Sequence, residues 1–79
     1  MPIKDYDLVA LVEDLPALHK ETKQPICLRR GQVGTVLMLL DDSACYVDFA
    51  DSQGGSYAME TVAIAKLLVL LQEPESISA

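Results

Sequence analysis

The side chains that could do chemistry are few in this sequence and do not form a pattern typical of an active site. His19 is the single histidine and lies in a polar stretch with no nucleophile or orienting partner in view. Asp41 and Asp42 are adjacent, but the alternating acids and distal glutamate of a calcium loop are missing, so a solvated hairpin tip is predicted. Gly31-x-x-Gly34 lacks the lysine of a phosphate-binding loop. We therefore expect a protein that is not an enzyme and has no catalytic, metal-binding or cofactor-binding residues.

The two cysteines, Cys27 and Cys45, are predicted to be small hydrophobic residues in or near the core. They do not form a Cys-x-x-Cys pair, and a single histidine cannot complete a usual zinc site with them. A disulfide-stabilised domain of this length would usually carry four or more cysteines. Their number fits a cytoplasmic protein.

The charge of the chain is concentrated in its second half. Residues 1–40 carry five basic and five acidic side chains, whereas residues 41–79 carry seven acids against Lys66 alone, which accounts for the net charge of −6. Such a surface repels phosphate backbones, and the pair Arg29-Arg30 is too small a cluster to bind them, so pairing with nearby acids is predicted. Binding to nucleic acid or to an anionic membrane is disfavoured.

Length and hydrophobicity predict one folded domain over residues 1–72, followed by a polar, disordered tail at 73–79. Seventy-nine residues leave no room for a second core, and 51% hydrophobic residues are too many for a disordered chain. The apolar runs at 33–40 and 63–71 are shorter than the roughly 18–20 residues that a membrane helix requires. The start of the sequence lacks the pattern of a signal peptide. No contact with a membrane is expected.

Five short strands are predicted, and they make the fold class all-β. Residues 7–12 form the first strand, 33–40 the second, 45–50 the third and 56–62 the fourth. Tight turns at 41–44 and 51–55 join the middle strands, with Gly31, Gly34, Gly54 and Gly55 predicted as structural turn residues. Within 45–50, the residues Cys45, Val47 and Phe49 are predicted to face inward.

Two segments allow other interpretations. Residues 16–31 contain polar residues with prolines near each end and are predicted to form a long loop, in which a helical turn at 17–20 is possible. Residues 59–72 have the propensity of a helix, but a turn at 63–66 followed by a last strand would preserve the hairpin that Gly54-Gly55 begins. We prefer the strand. The five strands would then close into a small, strongly bent barrel.

Two spans of the chain carry a resemblance to a known family. They are Tyr6–Pro16 with Leu28–Val36, and Tyr46–Asp51 with Tyr57-Ala58, Thr61 and Leu67–Leu70. Together they resemble the small bacterial family known only as domain of unknown function 4926. The resemblance implies a five-stranded SH3-like barrel, a bacterial protein encoded on its own and a paired, immunity-like role, without catalytic residues. The connection at 16–28 is longer than is usual in that family. Separately, 31–40 resembles a KOW motif, which implies an RNA- or ribosome-associated domain as the alternative.

The clearest functional signal is an excess of aliphatic residues. Residues 37–40 and 67–71 offer aliphatic side chains on both faces of their strands, although so small a barrel has only one interior. A contiguous exposed apolar patch usually marks an interface, while scattered exposed aliphatic residues are normal. We predict a binding module that associates with itself, as a homodimer or higher oligomer, or with a protein partner. The candidate interface residues are Val9, Leu11, Val36, Met38, Leu40, Leu68 and Leu70.

Overall fold

The strand at Ala44–Ala50 supplies three core residues in the computed structural model, which describes residues 3–77. Cys45, Val47 and Phe49 are fully buried, whereas the intervening Tyr46 and Asp48 are half-buried. Alternating residues of a strand point to opposite faces, so one face of this strand packs into the core. The predicted inward residues of this strand are confirmed.

Seven strands and one 3₁₀ turn make up the secondary structure of the described residues. In chain order they are β1 (Leu8–Leu11), β2 (Leu15–Leu18), β3 (Pro25–Leu28), β4 (Val33–Leu39), β5 (Ala44–Ala50), β6 (Ser56–Ala63), the 3₁₀ turn (Ile64–Lys66) and β7 (Leu67–Val69). Five of them form an antiparallel sheet in the order β6-β5-β4-β1-β7, and β2 pairs with β3 in a separate two-stranded sheet.

The all-β class is thus confirmed. The five predicted strands correspond to β1, β4, β5, β6 and β7, but residues 3–77 contain two further strands, β2 and β3. The segment at 16–31 is not a long loop, and 17–20 is not a helical turn: Leu15 pairs with Leu28 and Leu18 with Pro25 across an antiparallel hairpin. The loop prediction rests on the polar residues of this segment and on the prolines near its ends, among them Pro16 and Pro25. Each strand of a two-stranded sheet has a free edge, where the missing N–H of proline is tolerated.

The five-stranded sheet has two ends within the described residues. β6 pairs only with β5, and β7 pairs only with β1, so β6 and β7 do not close the sheet into a continuous ring. Register shifts between Val36 and Met38 in β4, and between Phe49 and Ala50 in β5, interrupt the ladder. Such irregularities bend a sheet.

The glycines have different roles from one another. Gly31 and Gly54 adopt positive φ angles of 91° and 89°, which confirms them as turn residues. Gly34 lies within β4 and is buried, so the prediction that it forms a turn is wrong. An added Cβ there would lie 2.7 Å from Val47 Cγ1, which shows that Gly34 provides room for close packing. Gly55 lies in the second hairpin turn, without a positive φ.

The last part of the chain follows the preferred interpretation. β6 ends at Ala63, the 3₁₀ turn occupies Ile64–Lys66, and β7 follows directly. The interpretation of 59–72 as a strand, a turn and a second strand is therefore confirmed. Residues 73–77 are exposed and form neither helix nor strand, while the remainder of the predicted tail, 78–79, lies outside the described residues. Disorder of the tail stays a prediction.

Candidate interaction surface

Three of the seven predicted interface residues belong to the core. Val9 and Val36 are fully buried and Leu11 is 2% exposed, so their assignment to an interface is wrong. They pack with the inward residues of β5 and with Leu28, Ala58 and Val62 in one hydrophobic cluster. The sequence shows that β1 has two apolar faces, and the structure identifies the face that carries Val9 and Leu11 as the inner one.

The other face of β1 carries an apolar surface that extends across three strands. Ala10 pairs with Val33 of β4 on one side and with Leu68 of β7 on the other, and paired residues point to the same face. Leu8 lies two residues before Ala10, and the N–H of Leu70 donates to the carbonyl of Leu8 (2.9 Å). We call this surface the outer apolar patch: Leu8, Ala10, Val12, Val33, Leu68 and Leu70.

The patch is exposed, although its central residue is not. Leu8, Val12, Val33 and Leu68 are 38%, 45%, 47% and 57% exposed, and Leu70 is half-buried. Ala10, at 8%, lies between the larger side chains of the two neighbouring strands. The patch therefore includes Leu68 and Leu70 from the predicted set, together with four residues that were not predicted.

Polar residues border the outer apolar patch on two sides. On one side, Thr35 pairs with Leu8 of β1 and with Asp48 of β5. The carboxylate of Asp48 accepts a hydrogen bond from the hydroxyl of Ser56 (2.7 Å). At the other end, Lys66 lies 3.9 Å from the carboxylate of Glu13, measured from Nζ to Oε1. An apolar centre with a polar border is typical of a protein–protein contact.

Met38 and Leu40 are exposed, but the structure separates them from this patch. Met38 is 50% exposed near the end of β4, beyond the register shift, where it pairs with Tyr46, and Leu40, which follows the strand, is 49% exposed. Thr35 and Leu37 lie between Val33 and Met38 along the strand. The predicted set therefore divides into a core group, the outer apolar patch and a separate pair near the turn at 41–43.

The two ends of the sheet differ in how they are covered. The hairpin of β2 and β3 lies beside β6: the N–H of Lys20 donates to the carbonyl of Tyr57 (2.7 Å), and the rings of His19 and Tyr57 meet edge to face at 6.3 Å. β7 pairs with β1 alone, and no other strand of the described chain covers its outer edge. A groove of about 400 Å³ lies along that edge, lined by Ile3, Ile64, Leu67, Leu68, Val69 and Leu71.

The residues considered for chemistry have structural partners instead. The Asp41 carboxylate accepts hydrogen bonds from the N–H of Ser43 (2.7 Å), the hydroxyl of Ser43 (2.9 Å) and the N–H of Ala44 (3.0 Å). The N–H and the hydroxyl of Ser43, with a smaller effect from Ala44, lower the pKa of Asp41. This network defines the hairpin turn, which was the predicted role of the two aspartates.

His19 and Arg29 also have local partners. Nδ1 of His19 accepts hydrogen bonds from the N–H groups of Glu21 (3.1 Å) and Thr22 (3.3 Å), which fixes the turn between β2 and β3. Arg29 Nε lies 3.6 Å from Oδ1 of Asp14, so the expected pairing of an arginine with a nearby acid is confirmed.

The two cysteines occupy different environments. Cys45 is fully buried in the core, as predicted, and burial raises the pKa of its thiol. Cys27 is exposed on β3, so its assignment to the core is wrong. Both are free thiols.

Residues 3–77 contain no group of three or more His, Cys, Asp or Glu side chains placed to hold a metal ion. The same residues contain no helix with the length and hydropathy to span a bilayer.

Sequence reasoning missed the hairpin of β2 and β3 and most of the outer apolar patch. A signal for the patch was present, because Leu8, Ala10 and Val12 alternate with Val9 and Leu11. Alternation shows that these three share a face, but it does not identify the face that is covered. Only the pairing with β4 and β7 assigns them to the outside.

A protein-family model described as Domain of unknown function (DUF4926) matches residues 5–69, which include all seven strands. No curated protein matches the chain. No solved structure matches it either.

Proposed function

Since the chain belongs to the DUF4926 family of domains of unknown function, whose description names no activity, we propose its function from its surface. We propose that it is a small, non-enzymatic protein-interaction module that associates with itself or with a protein partner through the outer apolar patch. The single observation behind this is the row of Val33, Ala10 and Leu68 across three strands, with exposed apolar side chains on both flanks.

The proposal includes an SH3-like architecture. The strand order β6-β5-β4-β1-β7, two tight hairpins, a long connection from β1 to β4 and a 3₁₀ turn before the last strand support it. The register shifts in β4 and β5 bend the sheet in the way that a small barrel requires.

The distribution of charge along the chain indicates which kind of partner the proposed interaction favours. Residues 41–79 carry the whole net charge of −6, whereas the outer apolar patch contains no ionisable side chain. Where the partner is another protein, the acidic second half of the chain favours one with a basic border, because complementary potentials speed association. An accessory, immunity-like role in a bacterial cytoplasm belongs to the same proposal and rests on family resemblance alone.

Two lysine substitutions test the proposal. Leu68→Lys places a charge within the patch, and Met38→Lys is the matched control, because the two residues are 57% and 50% exposed. We expect Leu68→Lys to abolish association, measured by sedimentation of the purified protein and by capture of partners from native lysate. Met38→Lys should leave association unchanged, and both variants should stay folded by circular dichroism.

Two results would contradict the proposal. One is the absence of any self-association or captured protein; the other is binding that Leu68→Lys leaves intact. Retention of RNA that weakens steeply with added salt would instead favour the KOW-like alternative, since phosphate contacts depend on counterion release.

A further inference from the structure

We propose that the partner is a second copy of this chain, and that the two copies pair β7 against β7 in antiparallel orientation about a twofold axis at Val69. This inference rests on the proposed interaction function and specifies its partner. It would join two five-stranded sheets into one ten-stranded sheet.

The backbone of β7 has its outer edge available for such pairing. Leu70 donates its N–H to the carbonyl of Leu8, and the carbonyl of Lys66 accepts from the N–H of Val12. Along a strand of an antiparallel sheet, the N–H and carbonyl groups of successive residues point alternately to one edge and to the other. Lys66 and Leu70 are bonded on the β1 side, so Val69 directs its N–H and carbonyl away from β1. Within residues 3–77, neither group of Val69 has a backbone partner on that side.

The side chains along this edge are complementary to themselves. The run Leu67-Leu68-Val69-Leu70-Leu71 reads the same in both directions. A twofold axis at Val69 therefore places Val69 against Val69, Leu67 against Leu71 and Leu68 against Leu70 of the second copy. A closed twofold contact requires such a self-complementary surface.

The charges at the ends of the run favour the same orientation. Lys66 precedes the run, and Glu73 and Glu75 follow it, while the five residues between Lys66 and Gln72 carry no charge. Antiparallel pairing brings the basic end of one run to the acidic end of the other. Parallel pairing would place like charges together, so the antiparallel arrangement is preferred.

The contrast with the other end of the sheet supports the choice of this edge. Proteins protect exposed sheet edges with charges, prolines or covering segments. The hairpin of β2 and β3 covers β6, and its Lys20 donates to a β6 carbonyl. The run Leu67–Leu71, which begins with β7, contains neither a charged residue nor a proline.

Pairing at this edge would also bury apolar surface on both faces of the sheet. Leu68 is 57% exposed in the outer apolar patch, and Leu71 is 68% exposed at the groove. In the dimer, the outer apolar patches of the two copies become neighbours, and Leu71 of each copy lies beside the groove of the other. The backbone contact thus adds to the apolar contact already proposed.

The experiment compares Leu71→Lys with Leu40→Lys by sedimentation equilibrium over a wide range of protein concentration. Both residues are largely exposed, but Leu40 follows β4 and does not line the groove along β7. We expect the unmodified protein and Leu40→Lys to approach twice the chain mass of 8.6 kDa. Leu71→Lys should remain at the mass of one chain.

Amide hydrogen exchange tests the axis itself. The amide of Val69 should become protected as protein concentration rises, whereas the amide of Leu70 should be protected at every concentration, because Leu8 accepts its hydrogen bond. In Leu71→Lys, the protection of Val69 should be lost while that of Leu70 remains.

Three results would overturn the inference: a monomer at all concentrations, a dimer that Leu71→Lys leaves intact, or a Val69 amide unprotected in the dimer. Failure here is distinct from failure of the proposed function. A monomer whose capture of another protein is abolished by Leu68→Lys would refute the twofold pairing and leave the interaction module standing.

Discussion

Replacement of Gly34 by alanine should destabilise the protein more than its size suggests. The new Cβ would lie 2.7 Å from Val47 Cγ1, 2.9 Å from Phe49 Cδ1 and 3.0 Å from the carbonyl oxygen of Asp48. All three distances are well inside ordinary van der Waals contact. Val47 and Phe49 are fully buried, so neither side chain has open space into which it can move.

The size of the effect follows from these contacts. Overpacking a well-packed core by a methyl group costs about 1–3 kcal/mol, and we expect about 2 kcal/mol here because the Asp48 contact involves backbone. A domain of this length loses about 4–8 °C in Tm per kcal/mol, so the expected decrease is about 8–16 °C. Urea denaturation and differential scanning calorimetry would both measure it.

A double-mutant cycle separates crowding from other causes. Val47→Ala removes the nearest atom, so Gly34→Ala with Val47→Ala should be destabilised by less than the sum of the single changes, by about 0.5 kcal/mol or more. Gly31→Ala is the control: no atom lies within 4 Å of its added Cβ, but its φ of +91° is strained for alanine. It should show no coupling to Val47→Ala.

The reasoning would be refuted if Gly34→Ala changed the free energy of unfolding by less than about 0.5 kcal/mol, the range of ordinary surface substitutions. Strict additivity with Val47→Ala would refute the assignment of the effect to crowding. Equal coupling of Gly31→Ala and Gly34→Ala to Val47→Ala would also contradict it.

Three further predictions follow from the polar and thiol groups. In the native protein a thiol reagent should label Cys27 rapidly and Cys45 only in denaturant, because Cys45 is buried and burial raises its pKa; equal rates in the native state would contradict this. Asp41→Ala should lower Tm at neutral pH, and the difference should shrink as pH falls through the lowered pKa of Asp41, since the unfolded carboxylate binds protons first; a difference independent of pH would contradict the hydrogen-bond network. His19→Ala should speed hydrogen exchange at the amide of Lys20 by loosening the turn between β2 and β3, and unchanged exchange would show that the turn holds without Nδ1.

The sequence predicts best those strands in which apolar and polar residues alternate clearly and turn-forming residues mark both ends. β5 alternates cleanly between buried and half-buried residues, and turn-forming residues stand on both sides of it. β7 was harder, because the run from Leu67 to Leu71 suits a helix as well as a strand. The two glycines of the second hairpin favour the strand over the helix, because they predict a return strand, β6, that a helix over 59–72 would interrupt.

The failures had a physical origin as well. The hairpin of β2 and β3 was missed because prolines usually exclude a residue from a sheet, and this rule fails where both strands have a free edge. The interface prediction failed for Val9 and Val36 because period-two alternation assigns residues to faces without identifying the covered face. That choice depends on long-range partners such as Gly34 and Val69, which pair with Val9 from distant parts of the sequence.

The position of β1 between β4 and β7 affects how the chain is made. Leu11 pairs with Leu67, so β1 has its second neighbour only after most of the sequence has been synthesised. Until then β1 is the terminal strand of the growing sheet, with apolar side chains on both faces and an unpaired backbone edge. A chain that terminated after Lys66 would keep that edge permanently, and unpaired strand edges of incompletely folded chains promote aggregation. Pairing with β7 thus protects β1 from such misassembly.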